Sequence, residues 1–149
     1  MTKPARLVLD TNTVLALWHF SDPRLAPLVG AIARKRFALL SRDDALEELR
    51  RVLARARFDI APEQQARILA QYGDLLVPPP SGTATAFELP QCRDRDDQKF
   101  LEIARDHAAS HLLTRDKRLL ELNRHRLLRE RFRIVTPEKF QAESGDHGG

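Results

Sequence analysis

The segment Arg6-Leu7-Val8-Leu9-Asp10-Thr11-Asn12 decides the fold class, because a short apolar run ends abruptly at a carboxylate that is followed by two small polar residues. Such a run is typical of a buried strand in a parallel sheet. Ligands of open parallel sheets bind in the crevice beyond the carboxyl ends of the strands, and Asp10 falls at that end. Two roles stay open for Asp10: a functional carboxylate, or a cap for the helix predicted from near Thr13.

A second predicted strand repeats this arrangement. The run Ser110-His111-Leu112-Leu113-Thr114 delivers Arg115-Asp116-Lys117 at its carboxyl end, ahead of a helical segment. A helix cap would explain one such aspartate, but two carboxylates that project from strand ends toward one crevice repel each other unless a cation lies between them. The pair Asp10 and Asp116 therefore favours a metal site.

Two further acidic positions lie on predicted helices. Residues 92–104 place several acidic residues at the start of a helix, with Asp97 directed toward the sheet and Asp94 upstream as a looser ligand. A favourable interaction with the helix dipole is the alternative explanation for these acids. Glu48 borders the apolar stripe of another helix, where a glutamate is more often a solvated or salt-bridged flanking residue. Only together with the other acids does Glu48 indicate a site.

The order of predicted elements indicates an α/β fold, a three-layer α/β/α sandwich with a central parallel sheet. The predicted strands are 6–9, 37–40, 111–114 and 132–135, and the predicted helices lie near 13–19, 24–35, 43–55, 62–73, 96–108 and 117–130. We expect one domain over residues 1–142, with a rigid proline-rich connector at 78–82 and a disordered tail over 143–149.

The ordered set of motifs resembles the PIN-domain nucleases (the PilT amino-terminal family), in particular the group identified as toxin components of bacterial toxin–antitoxin pairs. The resemblance covers nearly the whole chain. It is carried by Leu-Asp-Thr-Asn at 9–12, Glu-Leu-Arg-Arg-Val-Leu-Ala-Arg at 48–55, Cys-Arg-Asp-Arg-Asp-Asp at 92–97, Leu-Thr-Arg-Asp at 113–116 and Thr-Pro-Glu-Lys-Phe at 136–140. It implies a PIN-like fold and a ribonuclease that hydrolyses RNA phosphodiester bonds with Mg²⁺ or Mn²⁺.

The resemblance also implies roles for individual residues. The catalytic and metal-site acids would be Asp10, Glu48, Asp97 and Asp116, with Asp94 as an additional metal-site acid and with Asn12 and Thr114 as positioning residues. An all-carboxylate set suits hard divalent ions, which prefer oxygen ligands. Glu47 competes with Glu48 for its place, and only the Leu-Arg-Arg-Val-Leu register that follows favours Glu48. The chain departs from the family pattern at Arg95, where such sequences often have proline.

The charge balance suits a polyanionic partner. The chain has 25 Lys and Arg against 21 Asp and Glu, a net charge of +4, and cationic side chains release counterions from a phosphate backbone. The candidate substrate-positioning cations are Arg93, Arg95, Arg115 and Lys117, with Arg42 and Arg118 nearby. The alternative is that these side chains only solvate the surface or pair with acids. Aromatic residues make up 6% of the chain, which argues against a dedicated reader of unstacked bases.

The remaining sequence features concern location and partners. No stretch approaches the roughly 20 apolar residues of a membrane span and no secretory segment is recognisable, so we predict a cytoplasmic protein without a membrane partner. Cys92 is the single cysteine and is predicted to be a small buried hydrophobe. Trp18 and Phe20 are predicted to be core residues, with an exposed patch as the alternative. The resemblance implies an antitoxin partner and a homodimer formed through amino-terminal helices.

Two other functions stay open. One is a nuclease-like module that binds RNA or a protein without turnover. The other is a phosphatase of the haloacid dehalogenase type, which also begins with an aspartate at the end of its first strand. That class has a second acid two residues further on, where this chain has Asn12, and it forms an aspartyl-phosphate. Metal-dependent cleavage of internal phosphodiesters distinguishes a nuclease from both.

Overall fold

A computed structural model describes residues 4–79 and 87–145 of the chain. Four parallel strands form one sheet in the order β2-β1-β3-β4: β1 (Arg6–Leu9), β2 (Ala38–Leu40), β3 (His111–Leu113) and β4 (Arg133–Val135). The helices are α1 (Thr11–Trp18), α2 (Ala26–Ala33), α3 (Asp43–Leu53), α4 (Pro62–Leu75), α5 (Gln98–Asp106), α6 (Lys117–Leu120) and α7 (Pro137–Gly145), with short 3₁₀ turns between them. The predicted α/β class with a parallel sheet is confirmed.

The sheet is buried on both faces, which explains the apolar run that precedes Asp10. Leu7 and Leu9 of β1 contact one hydrophobic cluster, whereas Val8 between them contacts the other, because successive strand side chains point to opposite faces. The first cluster contains residues of α1, α2, α3, α4 and α7, and the second contains residues of α5 and α6. Cys92 is buried in the second cluster, as predicted. The result is a three-layer α/β/α sandwich.

The strand order places a crevice between the carboxyl ends of β1 and β3. The chain leaves β1 toward β2 on one side, and it leaves β3 toward β4 on the other side. This divergence is the topological switch point at which open α/β sheets bind ligands. Asp10 follows β1 and Thr114 follows β3, so both stand at this crevice, and the backbone amide of Asp10 donates to the carbonyl of Leu113 at 3.4 Å.

The predicted helix over 117–130 is wrong beyond its first turn. The α-helix ends at Leu120, and two 3₁₀ turns follow, at Glu121–Arg124 and Arg126–Leu128. The Asn123 side-chain oxygen accepts a hydrogen bond from the amide of Ile134 in β4, and the His125 ring nitrogen accepts one from the amide of Leu127. These side-chain bonds to the backbone give the chain an alternative to the α-helical ladder.

The carboxyl-terminal helix α7 was not predicted from the sequence. It begins with proline at its first position, and the Thr136 hydroxyl accepts a hydrogen bond from the amide of Lys139 at 3.0 Å, which is a standard capping arrangement. The helix continues to Gly145, so the predicted disordered tail is wrong for residues 143–145. Residues 146–149 and the part of the predicted connector at 80–82 lie outside the described residues.

The two aromatic residues at the end of α1 have different environments. Trp18 is partly buried and packs against the first cluster, with its ring centroid 5.5 Å from that of Tyr72. Phe20 is 59% exposed, so the core interpretation holds for Trp18 and is wrong for Phe20. Among the helices that the structure describes, none combines the length and the apolar character that crossing a membrane requires.

Candidate functional site

The carboxyl ends of β1 and β3 open into a pocket of about 220 Å³ that is lined by acidic residues. Its six carboxylates, called the acidic pocket below, belong to Asp10, Glu48, Asp94, Asp96, Asp97 and Asp116. Thr11, Asn12 and Arg55 also line it. The structure thus brings together all five acids that the sequence nominated, from four separate segments of the chain, and adds Asp96.

Asp10 both caps a helix and faces the pocket. It is only 5% exposed, and one carboxylate oxygen accepts a hydrogen bond from the amide of Thr13 at 2.9 Å, which caps α1. Its other oxygen accepts from the hydroxyl of Thr114, a fully buried residue whose oxygen in turn accepts from the amide of Asp116 at 3.0 Å. The two roles that the sequence left open are therefore compatible.

Backbone amides also hold the carboxylates of Asp116 and Asp94 in place. One oxygen of Asp116 accepts from the amide of Arg118 at 2.8 Å and caps α6. One oxygen of Asp94 accepts from the amide of Asp96 at 2.9 Å at the start of a 3₁₀ turn. Because each carboxylate is held by a single backbone bond, each keeps acceptor capacity toward the pocket.

The raised pKa of Asp97 indicates uncompensated negative charge in the acidic pocket. Burial is the largest cause that raises its pKa, and the charges of Asp94, Asp116, Asp10 and Glu48 raise it further, to about 7. Burial also raises the pKa of Asp10, although hydrogen bonds from Thr114 and Thr13 oppose the shift. Neighbouring carboxylates that cannot all be ionised without a cation are the expected signature of a cation-binding site.

Among the residues that the structure describes, Glu48 is the one pocket acid that forms an ion pair, and its partner is Lys99. It accepts a hydrogen bond from the Lys99 ammonium at 3.0 Å and another from the Thr11 hydroxyl. The Lys99 ammonium also donates to the main-chain carbonyl of Asp96. Glu47, in contrast, pairs with Arg50 on the exposed side of α3. The structure thus places Glu48, and not Glu47, in the pocket.

The predicted substrate-positioning cations are dispersed. Arg93 and Arg95 are exposed and line a second pocket, which shares no lining residue with the acidic pocket. Arg115 is held in ion pairs with Asp22 at 3.1 Å and Glu138 at 2.6 Å, outside the lining of the acidic pocket. Lys117 is exposed at the start of α6. Arg42, nominated nearby, pairs with Asp44 and Glu102.

Sequence reasoning missed Thr11 and Arg55, which line the pocket, and Lys99, which pairs with Glu48. Lys99 follows Asp96 by three residues, a spacing that places two side chains on one side of a helical turn. Thr11 lies within the Asp-Thr-Asn motif, and Arg55 ends the Glu48 motif. Thr11 and Lys99 both form hydrogen bonds with Glu48, but they lie 37 and 51 residues from it along the chain. Only the packed fold shows that they meet.

A family model described as PIN domain matches residues 6–118. The chain belongs to the PIN-domain family. The matched range contains all six acids of the pocket, and PIN domains are generally nucleases. Comparison of this PIN domain with curated proteins and with solved structures gave no match.

The donor chemistry of this PIN domain fits a hard divalent cation. All six acidic donors are carboxylates, and Mg²⁺ prefers oxygen ligands, takes few carboxylates and keeps several waters. Within residues 4–79 and 87–145, no group of three or more His, Cys, Asp or Glu side chains has the spacing of a ready-made metal site.

Proposed function

We propose that this PIN domain is a divalent-metal-dependent endoribonuclease that hydrolyses RNA phosphodiester bonds with Mg²⁺ or Mn²⁺. The observation that carries the proposal is the convergence of six carboxylates at the switch point of the sheet, with the pKa of Asp97 raised to about 7. A bound divalent ion supplies a water of lowered pKa and stabilises the negative charge that develops on the phosphoryl oxygens.

The chain's own residues divide the work. Asp10, Asp97 and Asp116 would hold the ion directly or through water, with Asp94 as a looser ligand. Glu48, which is oriented by Thr11 and Lys99, would position the attacking water. Thr114 keeps Asp10 and Asp116 in register through its two hydrogen bonds. Asn12, which is exposed and lines the pocket, would contact the RNA strand, with Arg93, Arg95 and Lys117 outside the pocket lining as further contacts.

The test is cleavage of a labelled mixed RNA pool by the purified chain in Mn²⁺, in Mg²⁺ and in EDTA. We expect internal cuts only with a divalent ion, complete loss in EDTA, and recovery when Mn²⁺ is added back. Asp116→Asn, purified in parallel, controls for contaminating nucleases and should not cut. A phosphate monoester serves as a second substrate.

Each opposing outcome identifies one alternative. RNA that is bound but not cut under every metal condition indicates a binding module. Release of phosphate from the monoester without RNA cleavage indicates a phosphatase. Equal cutting by the chain and Asp116→Asn, or cutting that persists in EDTA, contradicts the metal site.

Lys99 is proposed as a positioning residue that also limits the cation content of the pocket. Its ammonium pairs with Glu48 at 3.0 Å and offsets the charge of that carboxylate, so the pocket would need one divalent ion and not two. Lys99→Met removes the electrostatic repulsion between the ammonium and a divalent ion bound in the pocket. We expect Mn²⁺ to bind roughly tenfold more tightly, or a second Mn²⁺ to bind, while RNA cleavage falls because Glu48 loses its orientation.

Titration calorimetry with Mn²⁺ measures both affinity and stoichiometry for this prediction. Lys99→Arg keeps the positive charge and is the matched control, so its Mn²⁺ binding should stay near that of the unmodified chain. Unchanged Mn²⁺ affinity and stoichiometry in Lys99→Met would show that the lysine does not act on the cation.

The resemblance to toxin components supports a more specific role. We propose that the protein is the toxin of a toxin–antitoxin pair, that it acts on RNA in the cytoplasm, and that an antitoxin protein and a second copy of the chain are its partners. Growth arrest on induced expression in a bacterial host, relieved by Asp116→Asn, is the corresponding measurement.

A further inference from the structure

The positive charge of this chain is concentrated in one connection. Residues 115–133, called the arginine-rich crossover below, run from just after β3 to the first residue of β4 and contain eight Lys and Arg and three Asp and Glu, a net charge of +5. The whole chain has a net charge of +4, so the other 130 residues together carry −1. The excess of positive charge therefore has a definite place in the fold.

All eight basic side chains of the crossover are exposed. Three of them have partners: Arg115 pairs with two acids as described above, Arg133 pairs with Glu143, and Arg131 lies over the Phe87 ring at 4.6 Å. In the part of the chain that the structure describes, the other five form no ion pair, and these are Lys117, Arg118, Arg124, Arg126 and Arg129. Five cations thus face solvent on one connection.

The crossover leads away from the acidic pocket along an edge of the sheet. Its second residue, Asp116, lines the acidic pocket. Its first 3₁₀ turn is attached to the edge strand β4 by the 2.7 Å hydrogen bond from the amide of Ile134 to the side-chain oxygen of Asn123. It ends at Arg133, whose amide donates to the carbonyl of Ser110 just before β3. A surface pocket there is lined by Arg129, Arg131 and Arg133 together with Ser110 and Asn123. The cations therefore extend from the acidic pocket toward the opposite end of the sheet.

We propose that the arginine-rich crossover binds the RNA backbone outside the acidic pocket and holds the strand beside the cleavage site. This rests on the proposed nuclease function. A polyanion that approaches six carboxylates is repelled, and one divalent ion offsets only part of that charge. The exposed cations of the crossover follow Asp116 along the chain. They counter this repulsion by contacting phosphates. Because few aromatic side chains are available, the contact reads phosphates and not bases.

The test is the salt dependence of RNA binding in EDTA, where cleavage does not interfere. The variant Arg124→Gln/Arg126→Gln/Arg129→Gln removes three unpaired charges from the crossover. Fluorescence anisotropy measures the affinity for single-stranded RNA between about 50 and 200 mM salt. The slope of log K against log salt should become less steep by roughly 2 in this variant, since each phosphate contact contributes about 0.7. Binding at low salt should weaken at least tenfold.

The matched control is Arg34→Gln/Lys35→Gln/Arg36→Gln. These three exposed residues lie between α2 and β2, at the opposite edge of the sheet. The control removes the same net charge and should leave the salt slope within about 0.5 of the unmodified value, because it removes no phosphate contact. An equal loss of slope in both variants would show a general charge effect and overturn the proposal, as would an unchanged slope in the crossover variant.

Two further arms separate this proposal from its alternatives. Crossover-dependent binding of polyglutamate as tightly as RNA would assign the surface to an acidic protein partner and overturn the RNA assignment. If the crossover variant has a less steep salt slope but the unmodified chain never cuts RNA with Mn²⁺, the nuclease proposal is wrong and the proposal of an RNA-binding surface is retained. A dinucleotide has a single phosphate, which the acidic pocket itself must bind, so its cleavage should be unaffected in the crossover variant.

Discussion

Asp10→Asn is expected to abolish metal-dependent RNA cleavage and, at the same time, to raise the free energy of unfolding of the metal-free protein. The loss of cleavage should exceed about 100-fold, since even residues that only orient metal ligands change activity by 10- to 100-fold. The stability gain follows from burial, because Asp10 is 5% exposed and its pKa is raised by burial and by the nearby charge of Asp116. Asparagine removes the charge that these surroundings disfavour.

One hydrogen bond of Asp10 survives this substitution and the other reverses direction. The asparagine oxygen still accepts from the amide of Thr13, whereas its amide nitrogen donates to the Thr114 hydroxyl oxygen, so the Thr114 hydroxyl loses the acceptor that Asp10 provided and offsets part of the gain. We expect a net gain on the order of 1 kcal/mol, or roughly 2 to 4 °C in Tm. A hydrophobic replacement would also leave the amide of Thr13 without its acceptor.

Thermal melting in EDTA and RNA cleavage in Mn²⁺ measure the two effects on the same preparation. Asp74→Asn is the matched control, because Asp74 is exposed on α4 and lies outside the lining of the acidic pocket. It should change neither quantity. Retained cleavage in Asp10→Asn would remove Asp10 from the site, whereas lost cleavage with a lowered Tm would show a structural role alone.

The predictable part of the site consists of residues whose position follows from one element. Asp10 and Asp116 follow apolar strands, and parallel strands bring their carboxyl ends to one edge, so the sequence places both acids at one crevice. The pairing of Glu48 with Lys99 depends on how α3 packs relative to α5. These helices are separated by α4 and a long connection, and no local pattern encodes that packing.

The crossover shows a different limit. Its leucines have helical spacing, and periodicity alone predicts one long helix. The structure has a single α-helical turn and two 3₁₀ turns, because the side chains of Asn123 and His125 accept hydrogen bonds from backbone amides. The start of α7 was readable, since Thr136 followed by Pro137 is a capping residue before a proline at the first helical position. It went unpredicted because its apolar periodicity is weak.

The affinity for Mn²⁺ is expected to fall about tenfold for each pH unit below 7 and to level off above pH 7. The cause is Asp97, whose pKa is raised to about 7 by burial and by neighbouring carboxylates. A cation binds the ionised form, so below that pKa one proton must leave for each ion bound, and affinity follows the ionised fraction. Between pH 5 and pH 8 the change should approach 100-fold, and about half of it should be reached at pH 7.

The same raised pKa gives the opposite trend for the stability of the metal-free protein. A carboxyl whose folded pKa lies above its unfolded value stabilises the fold fully below the unfolded value of 3.8, and this contribution is lost as the pH rises through about 7. Without metal, the protein should therefore be less stable at pH 8 than at pH 5. Added Mn²⁺ compensates for the ionised pocket, so its stabilising effect should be largest above pH 7.

Calorimetric titration of Mn²⁺ and thermal melting, both from pH 5 to pH 8, measure the two trends, and Asp97→Asn is the diagnostic variant. It keeps the size of the side chain and removes the Asp97 carboxyl, so both the pH dependence of Mn²⁺ affinity and the fall of metal-free stability toward pH 8 should become smaller. Asp10, whose pKa burial also raises, accounts for the pH dependence that remains. An Mn²⁺ affinity that stays flat over this range would mean that Asp97 does not face the ion. The opposed responses of stability and metal binding to pH have one origin, because the carboxylates that repel one another in the metal-free pocket are the ones that a cation needs.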